Sequence, residues 1–256
     1  MTIRRSTGLT NAILGTLGFM GAMNGCYMEI YTGSQPASAD SAKTGTRLGV
    51  VTASSATLTK ETRATGAIQL TGGASGSINT LLVGGLNVIP DGAVPFNTSL
   101  NQTAADLCEA VNRNGIMEAT VSGATVTLYG RPGTGVTTAA VTSNVTTITV
   151  SHTNMGSGVA GVAPVNGLRW VLPTAGIVAK PSNQIWSFNG ENNGVAGWGR
   201  LYASNTADSG ALLSGAPWYP RLDFSVGTSG ADLNLANVNI VSGAPNTIDQ
   251  FQFSLV

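Results

Sequence analysis

The sequence predicts a mainly β protein: an antiparallel β-sandwich of jelly-roll or immunoglobulin-like type, with an inserted small α+β module and an N-terminal helical arm. Three observations predict it. Only 9% of the 256 residues are charged and 34 are glycine, whereas an average globular domain is about one quarter charged. Thr, Ser, Ala, Asn and Val fill much of the rest, a mixture poor in strong helix formers and suited to short strands joined by tight turns. The alternating apolar texture also breaks off near residue 67 and resumes near 167, which marks the insertion.

Taken in order, residues 1–24 hold Arg4 and Arg5 before a mildly apolar run. Its glycines, Thr10, Asn11 and Thr16 make it too polar and too short to span a bilayer. Leu9, Ile13, Leu17 and Met20 recur at helical spacing, so the segment reads as an amphipathic arm that packs on its own domain or on a neighbour. Deleting it is expected to leave the sandwich folded. Residues 25–66 read as strand Cys26–Thr32, a long turn Gly33–Gly45 and strand Thr46–Thr52.

The insertion, residues 67–156, opens with strand Ala67–Thr71 and a turn Gly72–Gly76. Strands Ile78–Val83 and Leu86–Ile89 follow, and then the clearest helix of the chain body, Gln102–Asn114. Leu100, Ala104, Leu107 and Val111 share one face of that helix. Ser99 or Thr103 caps its start, and Gly115 stops it. A hairpin Glu118–Ser122/Ala124–Tyr129 and a long alternating run Thr137–Ser151 complete the module. Residues 157–256 return to β texture: Leu168–Leu172, Gln184–Phe188, Gly197–Ala203, Arg221–Val226, Leu233–Ile240 and Gln250–Val256. With 25–66, they are expected to form one sandwich.

Function classes narrow quickly. Twelve basic residues balance twelve acidic ones, so no basic stripe is present to neutralise phosphates, and a nucleic-acid partner is not expected. A neutral, charge-poor surface favours burial against other subunits. His152 is the sole histidine and has no visible nucleophile or metal-ligand companion. Cys26 and Cys108 read as two buried thiols, with a single disulfide as the alternative. Gly156–Gly161 matches GxGxxG with no helix after it, and so reads as a hinge rather than a phosphate cradle. Glu29, Asp40, Glu61, Asp91, Asp106 and Glu109 read as solvated charges. Asp223 and Asp232 flank a Gly-Thr-Ser-Gly turn and are expected to cap it, with calcium as a weak alternative. Trp170, Trp186 and Trp198 read as core, and Trp218-Tyr219 as a loop contact for a neighbouring subunit. No catalytic residue and no cofactor is expected.

Several segments resemble structural proteins of tailed-bacteriophage virions. Glu29–Asp40 with Thr44-Gly45-Thr46 is similar to their opening IYTGSQP…ATGT stretch. Gly194–Tyr202 (GVAGWGRLY) looks like their GTAGWARL strand, and Arg221–Leu235 resembles their DGSVGTSGADL signature. Pro95–Leu107 with Val111-Asn112 is similar to a β-α-β module inserted in phage tail and virion proteins, although here it interrupts a shorter framework. The resemblance implies a non-enzymatic virion component assembled in the host bacterial cytoplasm, most simply a capsid decoration or cement protein. Neck, tail or baseplate protein and carbohydrate- or receptor-binding module are the alternatives. The partners it implies are the major capsid protein or other virion proteins, and copies of itself as a trimer or larger, with no membrane.

Overall fold

The computed structural model describes residues 3–15, 17–114, 116–135, 138–205 and 219–254. The chain is mainly β with several antiparallel sheets, and it divides into two compact units. Unit 1 comprises residues 1–60 and 164–256, and unit 2 residues 61–163. Unit 2 therefore extends beyond the insertion read from the sequence, residues 67–156, at both ends. The reason is local: Thr62 pairs with Val162 and Thr65 with Val159 in bridges that belong to unit 2, and the glycine-rich stretch docks there too, Gly156 and Gly158 both donating to the carbonyl of Thr65.

Unit 1 begins with β1 (Arg4–Arg5), α1 (Thr7–Leu14), α2 (Gly18–Ala22), β2 (Tyr27–Thr32) and β3 (Arg47–Ala53). Unit 2 follows with β4 (Thr65–Gly72), β5 (Ser77–Val83), β6 (Leu86–Asn87), β7 (Val94–Pro95), α3 (Leu100–Asn114), β8 (Glu118–Ser122), β9 (Thr125–Tyr129), β10 (Val141–Thr146) and β11 (Thr149–Thr153). The chain then returns to unit 1 with β12 (Ile177–Ala179), β13 (Trp186–Asn189), β14 (Gly194–Tyr202), β15 (Arg221–Gly227), β16 (Leu233–Asn234), β17 (Asn239–Ile240), β18 (Pro245–Ile248) and β19 (Gln252–Ser254).

The main sheet of unit 1 runs β1-β15-β14-β2-β3-β13-β18, with β16 on β15 and β17 on β14, and β12 pairs with β19 separately. Strand alternation sends Met28, Ile30, Leu201, Leu222 and Phe224 to one face, and all are buried in a single cluster with Trp170, Trp186, Phe251 and Phe253. Gly199 lies on this face because a side chain there would strike the Phe224 ring and Ile30.

The amino-terminal helices join the same cluster. Ser6 caps α1 by accepting from the Leu9 amide at 3.0 Å, and Asp40 accepts from the Thr7 amide at 2.9 Å. Leu9, Ala12, Phe19, Ala22 and Met23 are buried, and Ile13, Leu17 and Met20 pack partly against them. The segment is thus part of the unit rather than a detachable arm, because its apolar stripe supplies one wall of the core.

In unit 2, β11-β4-β9-β8 forms one sheet and β10-β5-β6, with β7 on β5, another. Ile68, Leu70, Ile78, Leu81, Val126 and Leu128 share a core with Ala104, Leu107 and Val111 of α3. Ser99 caps α3, its hydroxyl accepting from the Gln102 amide at 3.1 Å. The stop expected at Gly115 lies outside the described residues.

Other expectations shift. The single run 137–151, whose first residue is not described, becomes two strands because Thr147 takes φ +62°, sending β10 to β5 and β11 to β4. Leu168–Leu172 forms no strand; Leu168 makes only a bridge to Cys26. Leu233–Ile240 is broken into β16 and β17, and β18 forms ahead of the last expected strand, Gln250–Val256.

Because Leu9 is fully buried, Leu9→Ala should cost about 2–5 kcal/mol. Deleting residues 1–24 should abolish cooperative unfolding. Chemical denaturation followed by tryptophan fluorescence checks both; a truncation that melts cooperatively would contradict the integrated-helix reading.

Candidate functional site

The polar phase of the main sheet is also buried. In β14 it carries Trp198, Arg200 and Tyr202, in β15 Arg221, Asp223 and Ser225, and in β2 Tyr27, Glu29 and Tyr31. None of these nine is more than 5% exposed. The registers align them into rows. Arg4 lies opposite Asp223, Asp223 opposite Arg200, and Arg200 opposite Glu29. Four charges of alternating sign therefore cross four neighbouring strands.

Arg200 grips Asp223 with both limbs, Nε to Oδ1 at 2.5 Å and Nη2 to Oδ2 at 2.8 Å, and its Nη1 donates to the Ser41 carbonyl at 3.0 Å. Arg4 donates to the Pro36 carbonyl. The segment between β2 and β3 thus reaches over this face and supplies acceptors to it. Burial pushes the Asp223 carboxyl upward, against the pull of Arg200, Arg221 and Arg4. Burial opposes the Arg200 charge, yet its hydrogen bonds and the Asp223 charge carry its pKa above the ordinary value. On the next rows Tyr202 stacks on Tyr27 at 5.0 Å and Trp198 on Tyr31 at 4.6 Å.

Glu29 is 5% exposed and not solvated as expected. Arg47 Nη1 donates to it at 2.9 Å, and the Tyr31 hydroxyl donates as well. Burial and the neighbouring Glu29 charge together raise the Tyr31 pKa. Glu61 is likewise buried, 1% exposed, and accepts from the Gly135 amide at 3.4 Å. A cleft of about 310 Å³ opens beside Glu29, walled by Tyr27, Arg47, Thr52, Ser55 and Lys60. Lys60 sits 4.5 Å above the Tyr27 ring. Ser55 in this wall and Ser54 before it take φ of +53° and +56°, a strained pair for residues with a Cβ. The carboxylate here is committed to Arg47 and Tyr31, which suits a structural role better than proton transfer.

The remaining expected residues are dispersed. Asp232 caps its loop, accepting from the Ser225 amide at 2.8 Å and hydroxyl at 2.7 Å. Asp223 does not cap that loop; its strand phase points it at Arg200. Among the described residues no group of three or more His, Cys, Asp or Glu could hold a metal. Cys26 and Cys108 are buried free thiols. Trp170 and Trp186 meet edge-to-face at 4.9 Å in the apolar core. Trp218 lies outside the described residues, and Tyr219 is half-buried. The Gly130–Gly135 loop is held by Arg131, which donates to the Ile116 carbonyl at 2.9 Å.

One pairing was not foreseen. His152 Nε2 lies 2.9 Å from the Ser143 hydroxyl, across the seam between β10 and β11. Partial burial lowers the His152 pKa, so the neutral ring accepts or donates one hydrogen bond there. Ser143 and His152 lie opposite the core residues Leu81 and Ile68, the serine half-buried and the histidine exposed. Alternation phase is the signal that places both on the same side.

No family model, curated protein or solved structure matches the chain. Among the described residues no helix is long and apolar enough to cross a membrane.

Two outcomes are expected. Asp223→Ala strands the buried Arg200 charge and should cost about 3–5 kcal/mol, while Arg200→Met with Asp223→Leu should recover most of it. Denaturant unfolding checks this, and a single-variant loss under about 1 kcal/mol would rule out a tightly coupled row. Burial also pushes the Cys26 thiol from 9.0 up to about 12. The native state holds that proton more tightly, so the group's contribution to stability is complete below pH 9 and is lost as pH rises toward 12. A thiol reagent at pH 8 should leave native Cys26 unlabelled and modify both cysteines in guanidinium.

Proposed function

We propose that the chain is a structural component of a tailed-phage virion, most simply a capsid decoration or cement protein with a jelly-roll or immunoglobulin-like sandwich as its framework. The observation that carries this reading is the placement of the three framework segments that resemble phage virion proteins. Glu29–Asp40 begins in β2, Gly194–Tyr202 is β14, and Arg221–Leu235 spans β15 and β16. β2, β14 and β15 are immediate neighbours. The resemblance therefore takes in three neighbouring strands, with Glu29, Arg200 and Asp223 of the charged row, and the connection that follows β2.

The surface supports an assembly role as well. Leu14 and Leu172 are each 81% exposed, Ile185 59% and Val241 57%. In a neutral, charge-poor chain such side chains favour association with other subunits. The ionisable groups described above serve structural pairs instead of forming a nucleophile–base–orienter set. A neck, tail or baseplate position is the second reading, because the same framework would serve there.

Densitometry of purified virions decides between them. A copy number comparable to that of the major capsid protein is expected, and one ring's complement would favour the neck or tail. Absence from the particle would sink both readings. Leu14→Asp should leave the unfolding midpoint unchanged, since the side chain is solvent-facing, and should lower incorporation into particles. Light scattering of the purified chain should give a trimer or larger.

A further inference from the structure

The outer side of the unit 2 sheet β11-β4-β9-β8 has an unusual chemistry. Residues opposed in an antiparallel ladder project to the same side, so the registers define rows. One row reads Ser151, Gln69, Thr125, Ser122, and the next reads Thr153, Ala67, Thr127, Thr120. Strands about 4.8 Å apart and rows about 6.7 Å apart space these side chains regularly. Ser151, Gln69, Ser122 and Thr153 are exposed, and the other four are half-exposed. The side chains are braced across strands: Ser151 donates to Gln69 at 3.5 Å, and Thr120 meets the Tyr129 hydroxyl at 3.3 Å.

Seven of these eight positions carry a hydroxyl or amide, and none carries a charge. The adjoining row adds Glu118 beside Tyr129. Arg63 neutralises Glu118 in an ion pair and lies 5.6 Å from the centre of the Tyr129 ring. A sheet face turned to water can carry charge freely. The two rows above carry none.

Its chemistry selects a partner class. A nucleic acid needs unpaired cations, and the one cation here is paired with Glu118. A protein interface needs apolar or aromatic anchors at its centre, and both rows lack them. An anionic polymer finds no counter-charge. A neutral polyhydroxyl chain matches all three properties. It offers donors and acceptors to the hydroxyl and amide rows, brings no charge to desolvate, and has sugar-ring faces for the half-buried Tyr129. We propose that the outer face of β11-β4-β9-β8 is a binding platform for neutral polysaccharide. The proposal goes beyond the virion assignment and holds wherever the chain sits in a particle.

Affinity electrophoresis of the full chain in native gels cast with dextran, galactomannan, xylan or, as the anionic control, hyaluronate tests it. Retardation is expected in at least one neutral gel and not in hyaluronate. Gln69→Glu and Ser122→Glu, both at exposed positions, should each require about tenfold more polysaccharide for half-retardation. Thr142→Glu, exposed on the other sheet of the unit, should behave as the parent. Unfolding midpoints matching the parent establish that the variants are folded. Equal mobility in every neutral gel overturns the proposal, as does retardation that both face variants leave intact or that appears only in hyaluronate.

Discussion

The row Arg4–Asp223–Arg200–Glu29 is the constraint from which the rest of unit 1 follows. Those side chains occupy the polar phase of four neighbouring strands, and the sheet is covered on that side as well as on the apolar one. A charge in such a place is tolerated only when opposite charge and hydrogen-bond acceptors surround it. Arg200 and Asp223 meet this condition in each other, Glu29 meets it through Arg47 and Tyr31, and Arg4 reaches the Pro36 carbonyl, so the pairing of β14 with β15 and the compensation of their charges specify each other. A one-residue slip of β14 against β15 would send Arg200 into the apolar core and leave Asp223 unpaired.

The cover on the polar side is built to suit. The long connection between β2 and β3 brings the carbonyls of Pro36 and Ser41 to Arg4 and Arg200, and its Asp40 caps α1. One loop thereby links the charged row to the amino-terminal helices, whose other side is sunk in the apolar cluster. The glycines permit this close assembly where a side chain would collide, as at Gly199 under Phe224 and at Gly49 against Phe188.

Much of this was legible in the sequence. Alternation located β2, β3, β14 and β15, and helical spacing located α3. What escaped has a common physical origin. Alternation separates an apolar phase from a polar one, and the polar phase reads as solvent unless the tertiary cover is known. Arg200, Asp223, Glu29 and Glu61 were therefore misplaced or passed over. The signal that was present is that opposite charges occupy matching phases of GWGRLY and RLDFSV, flanked by aromatics. The split of residues 137–151 was hidden differently, because Thr147 carries a conformation that its residue type disfavours. Ser143 and His152 went unpaired in the sequence for that same reason, since only the reversal at Thr147 brings their strands side by side.

The integration of α1 and α2 alters how assembly through the amino terminus would work. A loose arm exchanges its apolar stripe between its own domain and a neighbour, but here Leu9, Phe19 and Met23 are consumed internally. What the segment retains for a partner is Leu14, 81% exposed, with the partly covered sides of Ile13, Leu17 and Met20. That is a small apolar knob on a packed base, and a partner meeting it would not incur the ordering cost of an arm. Unit 2 presents the opposite character, a broad uncharged face whose hydroxyls are already braced across strands. A knob that is cheap to bury and a neutral face that is cheap to desolvate favour different partners, so the two surfaces of this chain need not compete for one.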